Sequence, residues 1–284
     1  MSTPGGFIVS PRGYDKELLT KVSREIREKI LLTLAEAGSG HPGGSLSAVE
    51  IVVTLYLQRM RHDPSNPMWR TRDRFLLSKG HAAPLLYSVL AKCGYFDEQE
   101  LRTLRKLGSR LQGHPDPSRL PGVEIPGGPE GIGLSEGIGM ALAAKLDGLP
   151  SRIYVLLGDG ELNEGEVWEA AMAASKFKLD NLTAIVDRNG IQQDGLTEEI
   201  MPVEPVSAKW RAFNWNTVEI DGYDFDQIIG ALDEAEHTKN RPTVIIAYTT
   251  KGKGVDFMEW KSEYHGKVPD RHSMEKALEE LRRV

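Results

Sequence analysis

Residues 153–195 read IYVLLGDGELNEGEVWEAAMAASKFKLDNLTAIVDRNGIQQDG and hold a complete strand, helix and strand. Ile153-Tyr154-Val155-Leu156-Leu157 is a short apolar run that stops at Gly158-Asp159-Gly160, as a buried strand running into a tight turn does. From Glu164 to Phe177 the apolar positions Val167, Ala170, Ala171, Ala174 and Phe177 recur at steps of three and four, which gives a helix one packed face. Leu182 to Val186 is apolar again and ends in the turn signal Asp187-Arg188-Asn189-Gly190. Two parallel strands joined by a right-handed helical crossover lie near each other in a sheet, so their carboxyl ends bring Asp159 and Asn189 to one rim.

Oxygen ligands converge at that rim. A carboxylate, a side-chain amide oxygen and a free backbone carbonyl just beyond Asn189 suit a hard cation that keeps part of its coordination for phosphate oxygens and water. Asp159 alone would repel a diphosphate, whereas a Mg²⁺ between them turns the same carboxylate into an anchor. Gly158 and Gly160 permit close backbone approach, and the start of the following helix offers N–H groups to an anion.

Outward from this unit the pattern alternates between strands and helices. Leu18, Val22, Ile26, Ile30 and Leu34 form a stripe along a helix ending at Gly38. Ser39-Gly40-His41-Pro42-Gly43-Gly44 reads as a loop, and Ser47 with Glu50 as a capping box for a helix to about Met60. Phe75-Leu76-Leu77 is a short strand ending in Ser78-Lys79-Gly80-His81. Helices are predicted over 82–93 and 97–107, the latter opened by Asp97 with Glu100 and carrying Arg102, Arg105, Lys106 and, just beyond, Arg110 as a solvated basic face. A long Gly- and Pro-containing loop over 108–130 includes His114, and loops of that length inside a compact domain are usually functional. A small-residue helix over 134–146 packs on the sheet. Strands over 217–220 and 243–248 flank a helix capped by Asp224, and a polar loop over 249–270 carries His265 before a charged terminal helix. Five strands alternating with helices predict an α/β fold: a doubly wound, mainly parallel sheet flanked by helices, with its ligand site at the carboxyl edge.

The 284 residues, with 29 glycines and 27% charged side chains, suit a single domain over 14–284 preceded by a flexible tail over 1–13. A net charge of −6 and a pI near 5.7 provide no general attraction for nucleic acid or anionic lipid. The single Cys93 excludes an internal disulfide, the first nine residues lack a secretory signal pattern, and a cytoplasmic protein with no membrane helix is predicted. Four of the seven histidines, His41, His81, His114 and His265, fall in loops or at a strand end, where they can offer donors to a diphosphate and a sugar. Zinc is the competing use, but no two histidines have the close helical spacing that zinc sites favour, and Cys93 has no second thiolate.

A lone Gly-Asp-Gly most often marks only a turn. Followed by a Glu-Gly helix and by Asn-Gly thirty residues after Asp159, it resembles the thiamine diphosphate-binding motif. With SGHPGG at His41, LSKGHAAPLLY at His81, GHPDPSRLPGVE at His114, and TTKGKG and YHGKVP around His265, residues 14–270 resemble the diphosphate-binding domain of the transketolase family, in the same order. Carried over residue by residue, the resemblance implies that Asp159, Asn189 and the Ile191 carbonyl bind Mg²⁺, with Ca²⁺ or Mn²⁺ as substitutes. It places His81, Gly160 and His265 at the diphosphate of thiamine diphosphate. It sets His41 and His114 toward the thiazolium and the donor sugar, so that His41, His114 and His265 form the catalytic set. Gly128 matches the glycine whose backbone meets the aminopyrimidine, and Glu164 matches a residue linked across a subunit interface to the glutamate that activates the cofactor. One departure stands out: where the family commonly reads Thr-Thr-Gly-Pro-Leu-Gly-Gln-Gly, residues 126–133 read PGGPEGIG, so Glu130 replaces an apolar residue near the cofactor.

Full-size family members continue into a pyrimidine-binding domain that these 284 residues lack. The resemblance therefore implies the amino-terminal subunit of a split transketolase, working with a carboxy-terminal partner in an assembly of two copies of each chain. The rim around Asp159 and the helix over 134–146 are expected at that interface. The implied reaction moves a two-carbon ketol unit from a ketose phosphate to an aldose phosphate. The alternatives are another thiamine diphosphate enzyme, either a deoxyxylulose phosphate synthase or a 2-oxo acid dehydrogenase component, and a regulatory chain that binds no cofactor. The histidine loops disfavour the dehydrogenase, and the joint presence of Asp159 and Asn189 disfavours the regulatory chain.

Overall fold

The computed structural model describes residues 14–283, so the tail predicted over 1–13 lies outside the described residues. Helix α1 (Lys16–Ala37) opens with the Asp15 carboxylate accepting the Leu18 N–H at 2.9 Å and closes at Gly38, whose φ of 65° favours glycine. Short helices α2 (Pro42–Ser47) and α3 (Val49–Thr54) follow, then strand β1 (Arg74–Leu77) and α4 (Ala83–Lys92). After a long loop come α5 (Ile132–Leu146), β2 (Ile153–Gly158), α6 (Gly165–Lys176) and β3 (Leu182–Arg188). The chain ends with α7 (Thr197–Ile200), α8 (Val206–Ala212), β4 (Asn216–Asp221), α9 (Phe225–His237), β5 (Thr243–Tyr248) and α10 (Arg271–Arg283).

The strands form one sheet in the order β1-β2-β3-β5-β4, and every neighbouring pair is parallel. Because side chains alternate across a strand, the sheet feeds two cores. Phe75, Leu77, Tyr154, Leu156, Ile185 and Ile245 share one core with buried residues of α1, α3, α4, α9 and α10. Leu76, Val155, Leu157, Ala184, Val186 and Ile246 share the other with α5, α6 and α8. Each Leu, Ile, Val or Phe among them contributes roughly 1.5–3 kcal/mol when fully buried, so the register that sorts them is strongly held. That register sets Leu157 beside Val186 and Gly158 beside Asp187, which brings the ends of β2 and β3 level. Among the described residues no helix is long and apolar enough to cross a membrane.

Several local expectations change. SGHPGG is not wholly a loop: Pro42, with its preset φ, opens α2. Ser47 and Glu50 do not form a capping box, because Ser47 donates to Asp187 at 2.6 Å and Glu50 takes the buried Arg27 guanidinium at 2.6 and 2.7 Å. The helix expected over 97–107 shrinks to a 3₁₀ turn, Glu98–Thr103, in which Asp97 caps Gln99 while Arg110 takes Glu100. The basic cluster is accordingly no helix face, and Arg105 lies in the loop with φ of 61°. In the stripe of α1, Leu18 is exposed and Leu19 is the buried residue; Phe177, just past α6, is also exposed. The helices α7 and α8 were not expected, yet Val206 and Trp210 of α8 and the nearby Val203 and Trp215 complete the second core.

Candidate functional site

Four chain turns meet at the carboxyl rim of the sheet, following β1, β2, β3 and β5. Around them opens a cavity of about 1010 Å³ lined by every residue predicted for the site: His41, His81, His114, Gly128, Asp159, Gly160, Glu164, Asn189, Ile191 and His265. The sequence places these residues in six separate segments, and the sheet brings them together.

The oxygen side is built by adjacent strands. Asp159 is buried; its Oδ2 accepts the Gly190 N–H at 2.6 Å and the Arg188 guanidinium at 3.0 Å, and its Oδ1 accepts the Gly160 N–H at 2.9 Å. Burial, then the nearby Asp187, raise its pKa above the ordinary carboxylate value, which is where a cation would relieve it. The Asn189 amide is oriented from both ends, donating to Asp187 at 3.1 Å and accepting the Ile191 N–H at 3.2 Å. The Ile191 carbonyl already attracts a cation, the Lys251 ammonium at 3.0 Å. All-oxygen donors with lone pairs to spare, beside an ammonium drawn to one of them, fit a hard divalent ion. No group of three or more His, Cys, Asp or Glu suited to a metal occurs among the described residues, so an ion here needs the amide and the carbonyl as well as the carboxylate.

Gly160 is required: a Cβ there would come 2.7 Å from the Gln192 Cβ. At Gly158 the nearest atom would lie at 3.8 Å, an ordinary contact, so its absence of a side chain answers no clash within this chain. The anion site expected at the start of the next helix is also altered. A 3₁₀ turn, Gly160–Asn163, precedes α6, and the Gly160 N–H is already given to Asp159.

The nitrogen side is assembled over long range. His41 precedes α2, His81 follows β1, His114 sits on the long loop and His265 ends the 3₁₀ turn Ser262–His265. Their rings gather at centroid distances of 5.5 Å for His41–His81, 6.0 Å for His41–His114, 5.3 Å for His41–His265 and 4.9 Å for His81–His265. Burial, reinforced by Arg105, lowers the His41 pKa to about 4, and burial with Lys251 lowers that of His265 to about 3. Burial with Lys79 pushes His81 well down, and burial with Arg105 lowers His114. The cluster is thus neutral at pH 7 and each ring can donate one proton and accept one. The long loop reaches it by crossing Gly80, where a Cβ would meet the backbone of Gly127 and Gly128 at 2.7 Å.

Sequence reasoning passed over three buried groups that hold these parts together. Lys79 pairs with Asp187 and also donates to the Gly44 carbonyl at 2.9 Å; Thr249 donates to the other Asp187 oxygen. One carboxylate therefore joins the turns after β1, β3 and β5 and the helix α2. Burial opposes ionisation of Asp187, but Lys79 and the hydroxyl donors hold its pKa below the usual value. Lys251 is buried beside His265 Nδ1 at 3.0 Å, and burial followed by Lys79 lowers its pKa to about 8. Glu161 accepts the N–H groups of Gly158 and Gly131, each at 2.8 Å, and the Ser78 hydroxyl, and burial raises its pKa to about 7. The signal for the two lysines was their place in the strand-end segments LSKGHAAP and TTKGKG.

Residues 20–281 match the family described as transketolase, thiamine diphosphate binding domain. The chain belongs to that family. It is 44% identical over 256 residues to a 6-deoxy-6-sulfo-D-fructose transketolase subunit of a Clostridium species, covering 90% of this chain and 93% of that one. An apulose-4-phosphate transketolase subunit of Phocaeicola vulgatus is 42% identical over 265 residues, covering 93% and 94%. Human transketolase is 39% identical over 266 residues, covering 93% of this chain but 42% of its own length. Among solved structures, a transketolase of Pichia stipitis in complex with sedoheptulose 7-phosphate superposes with a TM-score of 0.89 at 35% identity, covering 94% of this chain and 41% of that one. The Campylobacter jejuni transketolase gives 0.89 at 35% identity, covering 94% and 43%. The doubly wound fold expected from the alternating pattern and the transketolase resemblance are both borne out.

Proposed function

We propose that this chain is one subunit of a thiamine diphosphate-dependent transketolase that transfers a two-carbon ketol unit from a ketose phosphate to an aldose phosphate. The observation that carries this reading is the convergence of Asp159, Asn189 and the Ile191 carbonyl with four neutral histidines in one cavity. Residues 14–284 act as a single diphosphate-binding domain. Asp159, Asn189 and the Ile191 carbonyl hold Mg²⁺, which Ca²⁺ or Mn²⁺ can replace, while His81, His265 and the Gly160 backbone face the diphosphate. Lys79 and Lys251 add positive charge behind them, and the Gly128 backbone meets the aminopyrimidine. When bound, thiamine diphosphate supplies the electron sink for breaking the carbon–carbon bond of the donor. His41, His114 and His265, neutral at pH 7, orient the sugar hydroxyls and move protons between them and water.

Two relatives that match this chain along nearly all of their own length are named as subunits, which supports a working partner for this one as well. The partner carries the pyrimidine-binding domain, and two copies of each chain form the active assembly in the cytoplasm. Glu164, exposed on the cavity wall and packed against Gly131, faces that partner, together with the outer side of α5. The test is a ketol-transfer assay on the purified chain with and without the candidate partner, with mass measurement of the assembly. Activity is expected only from the pair; full activity from this chain alone sinks the split-enzyme reading.

A further inference from the structure

Glu130, the departure from the family pattern, takes no part in the pairings that bind the rim together. It follows Gly128 and Pro129 on the segment that crosses Gly80, and its carboxylate lies 2.9 Å from His81 Nδ1. A carboxylate oxygen this close repels a ring lone pair and favours an N–H facing it, so a neutral His81 carries its proton on Nδ1 and presents a lone pair at Nε2. That second nitrogen points inward. A methyl group placed on Gly44 would lie 2.9 Å from Nε2 and 3.4 Å from the Lys79 ammonium, so both nitrogens pack against the same glycine. Glu130 also faces the rest of the cluster, where it raises the proton affinity of His41, His114 and His265 against the lowering by Arg105 and Lys251.

We propose that Glu130 is a positioning residue that locks the His81 ring with its proton on Nδ1 and Nε2 turned toward Lys79, and thereby sets how this chain meets a diphosphate. The inference rests on reading the cavity as the diphosphate site. An anionic oxygen arriving at Nε2 leaves the ring between two anions, which favours the imidazolium with a donor on each side, so binding takes up a proton. The groups facing the ring are Lys79 from the end of β1, Lys251 from the turn after β5, His41 before α2, His114 on the long loop, His265 and Glu130 itself. Without Glu130, burial and the two lysines keep the ring neutral. A carboxylate acting only as a charge would have the opposite effect, since it repels a diphosphate and its removal would tighten binding.

The experiment compares the full chain with Glu130→Leu and Glu130→Gln. Long-range proton–nitrogen NMR without any cofactor is expected to show His81 protonated on Nδ1 in the wild type and in Glu130→Gln, whose amide oxygen still accepts, and to show that preference lost in Glu130→Leu. Calorimetry with thiamine diphosphate and Mg²⁺ on each chain reconstituted with the candidate partner, in two buffers of different ionisation enthalpy, is expected to show proton uptake in the wild type and none in Glu130→Leu. Affinity at pH 7 falls about ten-fold in Glu130→Leu, the equivalent of one unit of lost proton affinity, and Glu130→Gln lies between. An unchanged His81 tautomer in Glu130→Leu, or tighter binding by that variant, overturns the proposal. A wild-type chain that binds no thiamine diphosphate even with its partner would instead defeat the cofactor reading, and the tautomer measurement would still decide the role of Glu130.

Discussion

The oxygen side and the nitrogen side of the cavity are built in different ways. Asp159, Asn189 and Ile191 stand at the ends of two neighbouring strands, and their orientation is set by backbone N–H groups and by Arg188 within the same β2–α6–β3 unit. The four histidines come from segments far apart in sequence: α2, the turn after β1 and the turn after β5 are tied to Asp187, and the long loop that carries His114 crosses at Gly80. One side inherits its geometry from a register shared by two strands; the other depends on a buried ion pair.

The largest effect should come from cutting that tie. Lys79→Met leaves Asp187 buried without its cation, which costs about 3–5 kcal/mol. Urea unfolding should show that loss, and the variant should also lose cofactor binding. A change below about 1 kcal/mol, the scale of an exposed pair, would show that the histidine side does not hang on Asp187. Asp159→Ala tests the opposite side. It should leave the fold intact and reduce Mg²⁺-dependent thiamine diphosphate affinity by roughly 100-fold or more, since even outer-shell groups at metal sites are worth 10- to 100-fold. Unchanged affinity by calorimetry removes Asp159 from the metal site.

Within the histidine wall a division of labour is expected. His41→Ala and His114→Ala should lower kcat by about 100-fold, the scale of a lost proton-transfer group, with cofactor affinity nearly kept, whereas His81→Ala should weaken cofactor binding. Kinetics and titrations that show all three variants losing only cofactor affinity contradict the division.

Arg188→Met sharpens the comparison further. Charge alone predicts tighter Mg²⁺ binding once a cation next to Asp159 is gone. Because Arg188 also holds the carboxylate in place from its contacts with Thr197 and Glu198, affinity should instead fall about ten-fold. Tighter binding would refute the positioning role.

The smallest effect concerns acid. The folded pKa values of His41 and His265 lie near 4 and 3, below their unfolded value of about 6.5. The unfolded chain therefore binds more protons, and stability falls as the pH drops below about 6.5 toward these folded values. Since both rings are partly exposed, solvent screening limits the loss to roughly 1–2 kcal/mol in all. Thermal unfolding between pH 7 and pH 4 should become less pH-dependent in His41→Asn; an identical slope would assign the acid sensitivity elsewhere.

The same contrast explains what could be read in advance. Strands β1, β2, β3 and β5 were legible because each holds a short apolar run closed by glycine or polar residues, the mark of a buried parallel strand, whereas β4, at the sheet edge, is polar and mostly half-buried or exposed. The regions that went wrong are those where a polar side chain serves a distant partner instead of a local cap. Ser47 and Glu50 look like a capping box until Asp187 and Arg27 claim them, and Glu100 looks like the same motif until Arg110 does. Likewise, α8 has no clean period in sequence, because Trp210 packs at ring-centroid distances of 5.3 Å from Trp168 and 4.8 Å from Trp215, residues outside its own helix.

By itself the sequence determined the α/β alternation, the strand ends that carry Asp159, Asn189 and His81, and the loops that carry the other histidines. These are local matters: apolar period, glycine and turn chemistry act over a few residues. Only the tertiary structure decided that Lys79 and Asp187 form a buried pair, that Lys251 lies against the Ile191 carbonyl and His265, and that the Glu130 carboxylate lies beside His81. Each of those outcomes depends on where burial removes water, and the attraction between charges and dipoles is settled by that dielectric environment rather than by residue type.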